Sequence, residues 1–278
     1  MDVLRFLLRS GRGRVGLFLV CAFVFVAAFG RFLMPYDPQA PDTNALMTGF
    51  TWQHLLGTDT LGRDQLSRIL QGALPLLEIV VISSAVGMAV GGALGVVAGY
   101  TKGVVDGLIM RALDLLLAFP VILMAIAIVG FFGVGERNVI IALAVAFVPG
   151  FARVARAATF TVAKQPYVLA ARTIGDAEPA IVVKQVLPNI LPVMLVQLSL
   201  VMAYAVLIEA ALSFLGLSVQ PPVETWGRML ADGRDFLNVQ PDLAWVPGLA
   251  ITLVILGFNL VGDGLRDYLD PTLREQVR

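Results

Sequence analysis

The chain has 278 residues, 58% of them hydrophobic and only 14% charged, too few charges to cover a soluble surface of that size, so it is an integral membrane protein. Its 20 basic and 20 acidic side chains cancel, leaving no global field to attract nucleic acid, and any partner must be recognised locally. One Cys and one His exclude an intrachain disulfide and a soft-ligand metal cluster; Cys21, inside an apolar run, reads as a buried, inert thiol.

Residues 1–14 carry Arg5, Arg9, Arg12 and Arg14, and the apolar run 15–34 is about long enough to cross a bilayer. It is read as the first spanning helix; a signal peptide is the alternative, because Ala28-Phe29-Gly30 has the small residues of a cleavage site. GRGRVG at 11–16 fits G-x-G-x-x-G, but no strand precedes it, so it marks no nucleotide site. Residues 35–73 are polar and rich in turn formers, with His54 in a flexible outer loop. Gly57 and Gly62 permit tight turns, and Leu66, Ile69, Leu70 and Ala73 form one face of a short helix on which Asp64 and Arg68 pair at i, i+4.

The second span, 74–100, places Gly87, Gly91, Gly95 and Gly99 four residues apart, a side along which backbone can pack against backbone. Its partner is either a helix of this chain or a second subunit; the spacing serves both. Lys102, Asp106 and Arg111 make a polar connection, with Asp114 pairing to Arg111 at i, i+3, and a third span carrying Pro120 runs to 132. GVGERN is a turn. The fourth span, 139–158, is expected to kink near Pro149-Gly150 and has Arg153 and Arg156 at its far end.

A polar interruption follows, KQPYVLAARTIGDAEPAIVVKQVLPN at 164–189. Pro166 suits a first helical turn, Tyr167, Ala170, Ala171 and Ile174 recur at i, i+3, i+4, i+7, and Gly175 sits where a helix leaves left-handed. Ala170-Ala171 leaves almost no side chain, so another protein could approach this helix closely; resting on lipid headgroups is the other use of such a stripe. The fifth span, 190–208, leads into a polar stretch where Trp226 suits a membrane interface, and the sixth is 244–260. Six spans put both termini on one side. Arg5, Arg9, Arg12, Arg14, Lys102, Arg111, Arg153, Arg156, Lys164, Arg172, Lys184, Arg266, Arg274 and Arg278 share it, against Arg63, Arg68, Arg137, Arg228 and Arg234 opposite, which makes the 164–189 loop cytoplasmic.

Four strings carry a family resemblance. Ala170, Ala171, Gly175, Leu187 and Pro188 stand at the spacing of the EAA loop of ABC-importer permeases (Glu-Ala-Ala, three residues, Gly, nine residues, Ile, one residue, Leu-Pro), with Leu169 in the place of the Glu and Gln185 in that of the Ile. HLLGTDTLGRDQLSRILQGA at 54–73 resembles the G-T-D-x-x-G-R-D-x-x-S-R signature of dipeptide, oligopeptide and nickel importer permeases, matching at Gly57, Thr58, Asp59, Gly62, Arg63, Asp64, Ser67 and Arg68. EAALSFLGLSVQPPVETWGRMLADGR at 209–234 and NLVGDGLRDYLDPTLRE at 259–275 resemble the same family, in its C-type subunit.

The resemblance implies an all-α integral membrane fold of six transmembrane helices, like a type I ABC importer permease, multi-pass in the bacterial cell (inner) membrane with both termini cytoplasmic. It divides the chain into a basic N-terminus 1–14, a first transmembrane helix 15–34, an extracytoplasmic segment 35–73, a five-helix core 74–265 with a cytoplasmic coupling loop 159–189, and a cytoplasmic tail 266–278. Implied partners are a homologous second permease, two cytoplasmic ATPases holding ATP and Mg, an extracytoplasmic solute-binding protein and membrane lipid. Peptides are the implied cargo, with nickel or another small solute as the alternative. Coupling would fall to Tyr167, Ala170, Ala171, Ile174, Gly175, Leu187 and Pro188, and helix packing to Gly87, Gly91, Gly95 and Gly99; no catalytic or metal residue is expected. No G-x-x-x-x-G-K-[ST] string occurs, so the chain has no loop to cradle nucleotide phosphates. Glu78, Asp114, Glu209 and Asp263 lie near span ends; acids there are functional candidates by default, but structural pairing is the favoured reading, and there is little sign of a proton relay. A self-sufficient channel or secondary transporter, driven by a gradient, and a non-transporting scaffold are the competing readings.

Overall fold

The structure, a computed structural model, describes residues 3–269, so Arg274, Arg278 and most of the 266–278 tail lie outside the described residues. Its elements are α1 (Val3–Arg9), α2 (Gly11–Leu33), α3 (Gln65–Thr101), α4 (Gly103–Leu117), α5 (Val121–Phe132), α6 (Glu136–Val162), α7 (Pro166–Ile174), α8 (Glu178–Ile181), a π turn (Val182–Val186), α9 (Leu187–Phe214), α10 (Trp226–Arg234) and α11 (Asp242–Leu269). Five segments are long and apolar enough to cross a membrane: α2, α3, α6, α8 through α9, and α11. A sixth exists only if α4 and α5 are taken together, and these are bent 83° to each other. The break falls at Pro120, which has no N–H to continue a helix and pushes the residue before it out of the helical region.

The bundle is centred on α3 and α6, and the glycine stripe explains why. A Cβ on Gly91 or Gly95 would collide with the carbonyls of Val148 and Ala152 on α6, one on Gly87 would sit 3.0 Å from the Phe147 Cβ, and one on Gly99 2.7 Å from the Arg156 carbonyl. Bilayer hydrocarbon gives apolar helices no reason to leave it, so close backbone approach supplies the contact energy instead. The partner of the stripe is therefore a helix of this chain. Behind the seam lie Phe151, Ile79, Leu143, Ile208 and Leu212, all fully buried.

The first helices pack on the last. Gly16 meets Leu260, Gly257 meets Leu19 and Val20, and Phe6 on α1 sets its ring edge-on to Tyr268 at 5.5 Å. Pro188 and Tyr268 line one cavity, so the ends of the described chain and the exit of the loop share one end of the bundle.

Several local expectations are corrected. Cys21 is exposed, not buried: an apolar run in a spanning helix has a lipid face as well as a packed one. Trp226 is buried in the fold rather than exposed, its Nε1–H donating to the Ile69 carbonyl at 2.9 Å and its ring edge-on to Phe23. The turn at GVGERN is confined to Gly133 and Gly135, with φ of 97° and 138°, and Glu136 already begins α6. Apart from these corrections, Pro149 lies inside α6, which continues as one helix on both sides of it.

Candidate functional site

At the loop end, α6 stops at Val162 and the chain turns through Gln165, whose φ of −68° and ψ of 145° place Pro166 at the first position of α7. Gly175 ends α7 in the left-handed region at φ 93°, and the Asp176 N–H returns to the Ala171 carbonyl at 3.1 Å, closing the helix as a Schellman-type cap does. After α8 the π turn follows from Pro188. Proline cannot donate to the carbonyl four residues back, and the Leu187 N–H instead reaches the Val182 carbonyl across five.

The stripe splits between two faces. Val168 and Ala171, at 0% and 7% exposure, face inward and pack with Ile181, Tyr100 and Val162, whereas Tyr167, Leu169 and Ala170 are exposed and Ile174 is 82% exposed. Ala171 thus belongs to the fold's own packing, with Val168, which the i, i+3, i+4, i+7 reading passed over. Leu187 and Pro188 are exposed at the start of α9, on the rim of an apolar groove of about 900 Å³ between α3 and α9.

Three side chains that the sequence reading did not bring together hold this loop. The Arg172 Nε lies 3.0 Å from Glu178 Oε1, its Nη2 donates to the Tyr100 hydroxyl at 2.9 Å, and the Tyr100 hydroxyl in turn donates to the Glu178 carboxylate. The guanidinium also lies over the Tyr100 ring, 5.5 Å from its centroid. These hydrogen bonds, to Tyr100 first and Glu178 second, hold the Arg172 guanidinium above the usual arginine range, so it stays a cation. The cluster ties α7 and α8 to the last turn of α3. In sequence only the i, i+6 separation of Arg172 and Glu178 across Gly175 hinted at it.

The opposite end is closed by a buried ion network. Arg68, 2% exposed, places Nη1 2.8 Å from Asp59 Oδ2 and Nη2 2.9 Å from Glu224 Oε2, while Arg63 contacts the same two carboxylates at 2.7 and 3.1 Å. Asp64 does not pair with Arg68. It is the N-cap of α3, accepting from the Ser67 N–H at 2.8 Å and from the Ser67 hydroxyl at 2.9 Å, because an N-cap side chain folds back over the first free amides instead of reaching one turn on. Nor is His54 in a flexible loop: it is buried, 3.0 Å from Asp64 and stacked on Tyr36. Asp232, about half exposed, lies 3.6 Å from the Arg68 Nη2 at the edge of this network. Elsewhere Asp114 pairs with Arg153 across helices at 2.7 Å rather than with Arg111, and Glu209 accepts from the Ser218 hydroxyl at 2.9 Å. Among the described residues no three His, Cys, Asp or Glu side chains are grouped to hold a metal ion.

An all-helical bundle with five or six apolar spans, a short exposed loop helix pinned at one end and an ion-locked cap at the other has the build of a polytopic transport protein. Residues 91–275 match the family described as binding-protein-dependent transport system inner membrane component, and the chain belongs to that family. It is 43% identical over 256 residues to a glutathione transport system permease protein GsiD of Escherichia coli O6:K15:H31 (strain 536 / UPEC), covering 92% of this chain and 84% of the relative. It is 42% identical over 265 residues to a di/tripeptide transport system permease protein DppC of Pseudomonas aeruginosa (strain UCBPP-PA14), covering 93% and 88%. In structure it is similar to a chain of the MetNI methionine ABC transporter in an inward-facing conformation, with a TM-score of 0.58 at 18% identity over 73% of this chain and 97% of that one, which shows a shared fold. The chain is accordingly a multi-pass permease component of a binding-protein-dependent transport system in the bacterial inner membrane.

Proposed function

We propose that this chain forms half of the translocation pathway of a peptide importer and that α7 is the handle through which ATPases drive it. The observation that carries the reading is the outward apolar face of Tyr167, Ala170 and Ile174 on a helix fixed to the bundle by Tyr100, Arg172 and Glu178. Sequence relatives named for glutathione and for di- and tripeptides support short peptides as cargo. The partners on this reading are a homologous second permease, two ATPases that hold ATP and Mg, and an extracytoplasmic solute-binding protein. The positive-inside asymmetry of the basic residues supports a cytoplasmic α7 and cytoplasmic termini.

The mechanism is alternating access, in which ATP-driven closure of the ATPases favours one of two arrangements of the spans. Force applied at α7 reaches α3 through the Arg172–Tyr100 contact and through Val168 and Ala171. Because α3 is seated backbone-to-backbone on α6, the two helices move as one unit. Leu169, exposed where the family loop has a Glu, makes the surface that α7 offers apolar rather than acidic.

The test is a crosslink, with Cys21→Ser removing the native thiol. Ile174→Cys should form an adduct with a co-expressed ATPase whose yield changes with nucleotide, whereas Ala171→Cys, facing inward, should not. Labelling of Ile174→Cys by a lipid-phase reagent, with no ATPase adduct, would instead lay the helix on the membrane. The self-sufficient channel reading would then take over, with its demand for gradient-driven flux through this chain alone in liposomes. ATP-dependent uptake of a tripeptide by the assembled transporter checks the cargo, and uptake of nickel in its place would overturn it.

A further inference from the structure

We propose that the loop end of α3, α4 and α6 holds a site for the phosphate of an anionic phospholipid headgroup. Three cations converge on one ring there: Lys102 Nζ, the Arg156 guanidinium and Lys164 Nζ lie 5.6, 5.1 and 5.9 Å from the Phe160 centroid. Like charges drawn this close repel one another, and the face of a single phenyl ring offsets only part of that repulsion. Arg156 has its own counterion, with both its Nε and Nη2 2.5 Å from the Asp106 carboxylate. Lys102 and Lys164 are exposed, and among the described residues neither is joined to a carboxylate: Asp114 is taken by Arg153, and Glu178 by Arg172 and Tyr100. Both lysine ammonium groups gathered at Phe160 are thus without a carboxylate counterion among the described residues.

The backbone adds an independent observation. Lys102 takes φ 58° and ψ −171°, a region otherwise left almost wholly to glycine, and Gly103 after it is also at positive φ. A glycine at 102 would relieve the strain. A lysine standing there points to a use for its side chain at the sharp corner between α3 and α4.

The neighbouring surface selects lipid over an acidic protein. Directly after Lys102, α4 exposes Val104 at 78%, Leu108 at 61% and Leu115 at 72%. Free ammonium groups beside a bare aliphatic face on a helix leading into a span are the pattern of a side chain set at the headgroup boundary, where one molecule supplies both a phosphate and acyl chains.

The test is native mass spectrometry of the full chain released from nanodiscs of phosphatidylcholine and phosphatidylglycerol. The wild type and Lys184→Gln, which lies outside the cluster, should retain phosphatidylglycerol in preference to phosphatidylcholine. The K102Q/K164Q double variant should bind it roughly 30-fold more weakly, about fivefold for each charge removed. Lys102→Gly should lose lipid while melting no lower than the wild type, which separates loss of the site from loss of the fold. Excess inorganic phosphate should not displace the lipid. Equal retention by the double variant, full competition by inorganic phosphate, or a dependence on the two lysines seen only in ATPase association without lipid would each overturn the proposal.

Discussion

Arg68→Ala is expected to destabilise the protein by about 3–5 kcal/mol, enough to remove most folded chain from the membrane. The guanidinium, 2% exposed, is shared by Asp59 and Glu224, so its deletion leaves two carboxylates desolvated with Arg63 as their remaining close cation. Removing one partner from a buried cluster costs far more than the cluster contributes as a whole, because the charges left behind can neither reach water nor neutralise freely. The comparison is Arg234→Ala, whose ion pair with Asp235 is exposed on both sides and is worth about 0–1 kcal/mol. Thermal unfolding of the detergent-purified chain separates the two. Equal melting temperatures would mean that this end of the bundle is not held by the network.

Gly95→Leu is the second large effect. At Gly95 the obstacle to a side chain is the Ala152 backbone carbonyl, with the Ala155 Cβ 2.7 Å from where a new Cβ would stand. Overpacking usually costs about 1–3 kcal/mol when neighbouring side chains can rotate away; here the obstacle is a helix backbone, so the cost should reach or exceed the top of that range. It should also spread, because α3 cannot lift from α6 at Gly95 without loosening Gly91 and Gly99. Both melting temperature and ATP-dependent uptake are expected to fall. Gly107→Ala on α4, where a Cβ meets nothing within 4 Å, should leave both unchanged or gain up to about 1 kcal/mol of helix propensity. Wild-type melting and uptake in Gly95→Leu would show that the stripe is not a packing surface.

The loop illustrates how far periodicity reaches. Pro166 and Gly175 bound α7 because proline and glycine act on the backbone locally, wherever the helix is placed. The i, i+3, i+4, i+7 pattern correctly drew apolar residues together, yet Ala171 turned inward beside Val168 while Ile174 turned out. Which side of a nine-residue helix is buried depends on what lies beneath it, here Tyr100 and Ile181, one at the end of a span far earlier in the chain. The pairs inferred at i, i+3 and i, i+4 failed for a related reason. Asp64 was claimed by the first turn of its own helix, Arg68 by carboxylates 9 and 156 residues away, and Asp114 by an arginine 39 residues on.

By itself the sequence determined that this chain lives in a membrane, that it is all helical, and, through the GTD-type and EAA-type strings, which family it belongs to. These properties are written in composition, run length and local backbone chemistry, and none needs a distant residue to be known. Only the tertiary structure decided that the glycine stripe is spent on α6 within this chain, that Pro120 breaks the third span, and that Arg68 and Glu224 lock the end of the bundle away from the loop. It also decided that Tyr100, Arg172 and Glu178 anchor the loop helix. Each of these is a contact between segments far apart in the chain, and a helix's sequence states which residues could meet a neighbour without stating which neighbour the fold will bring.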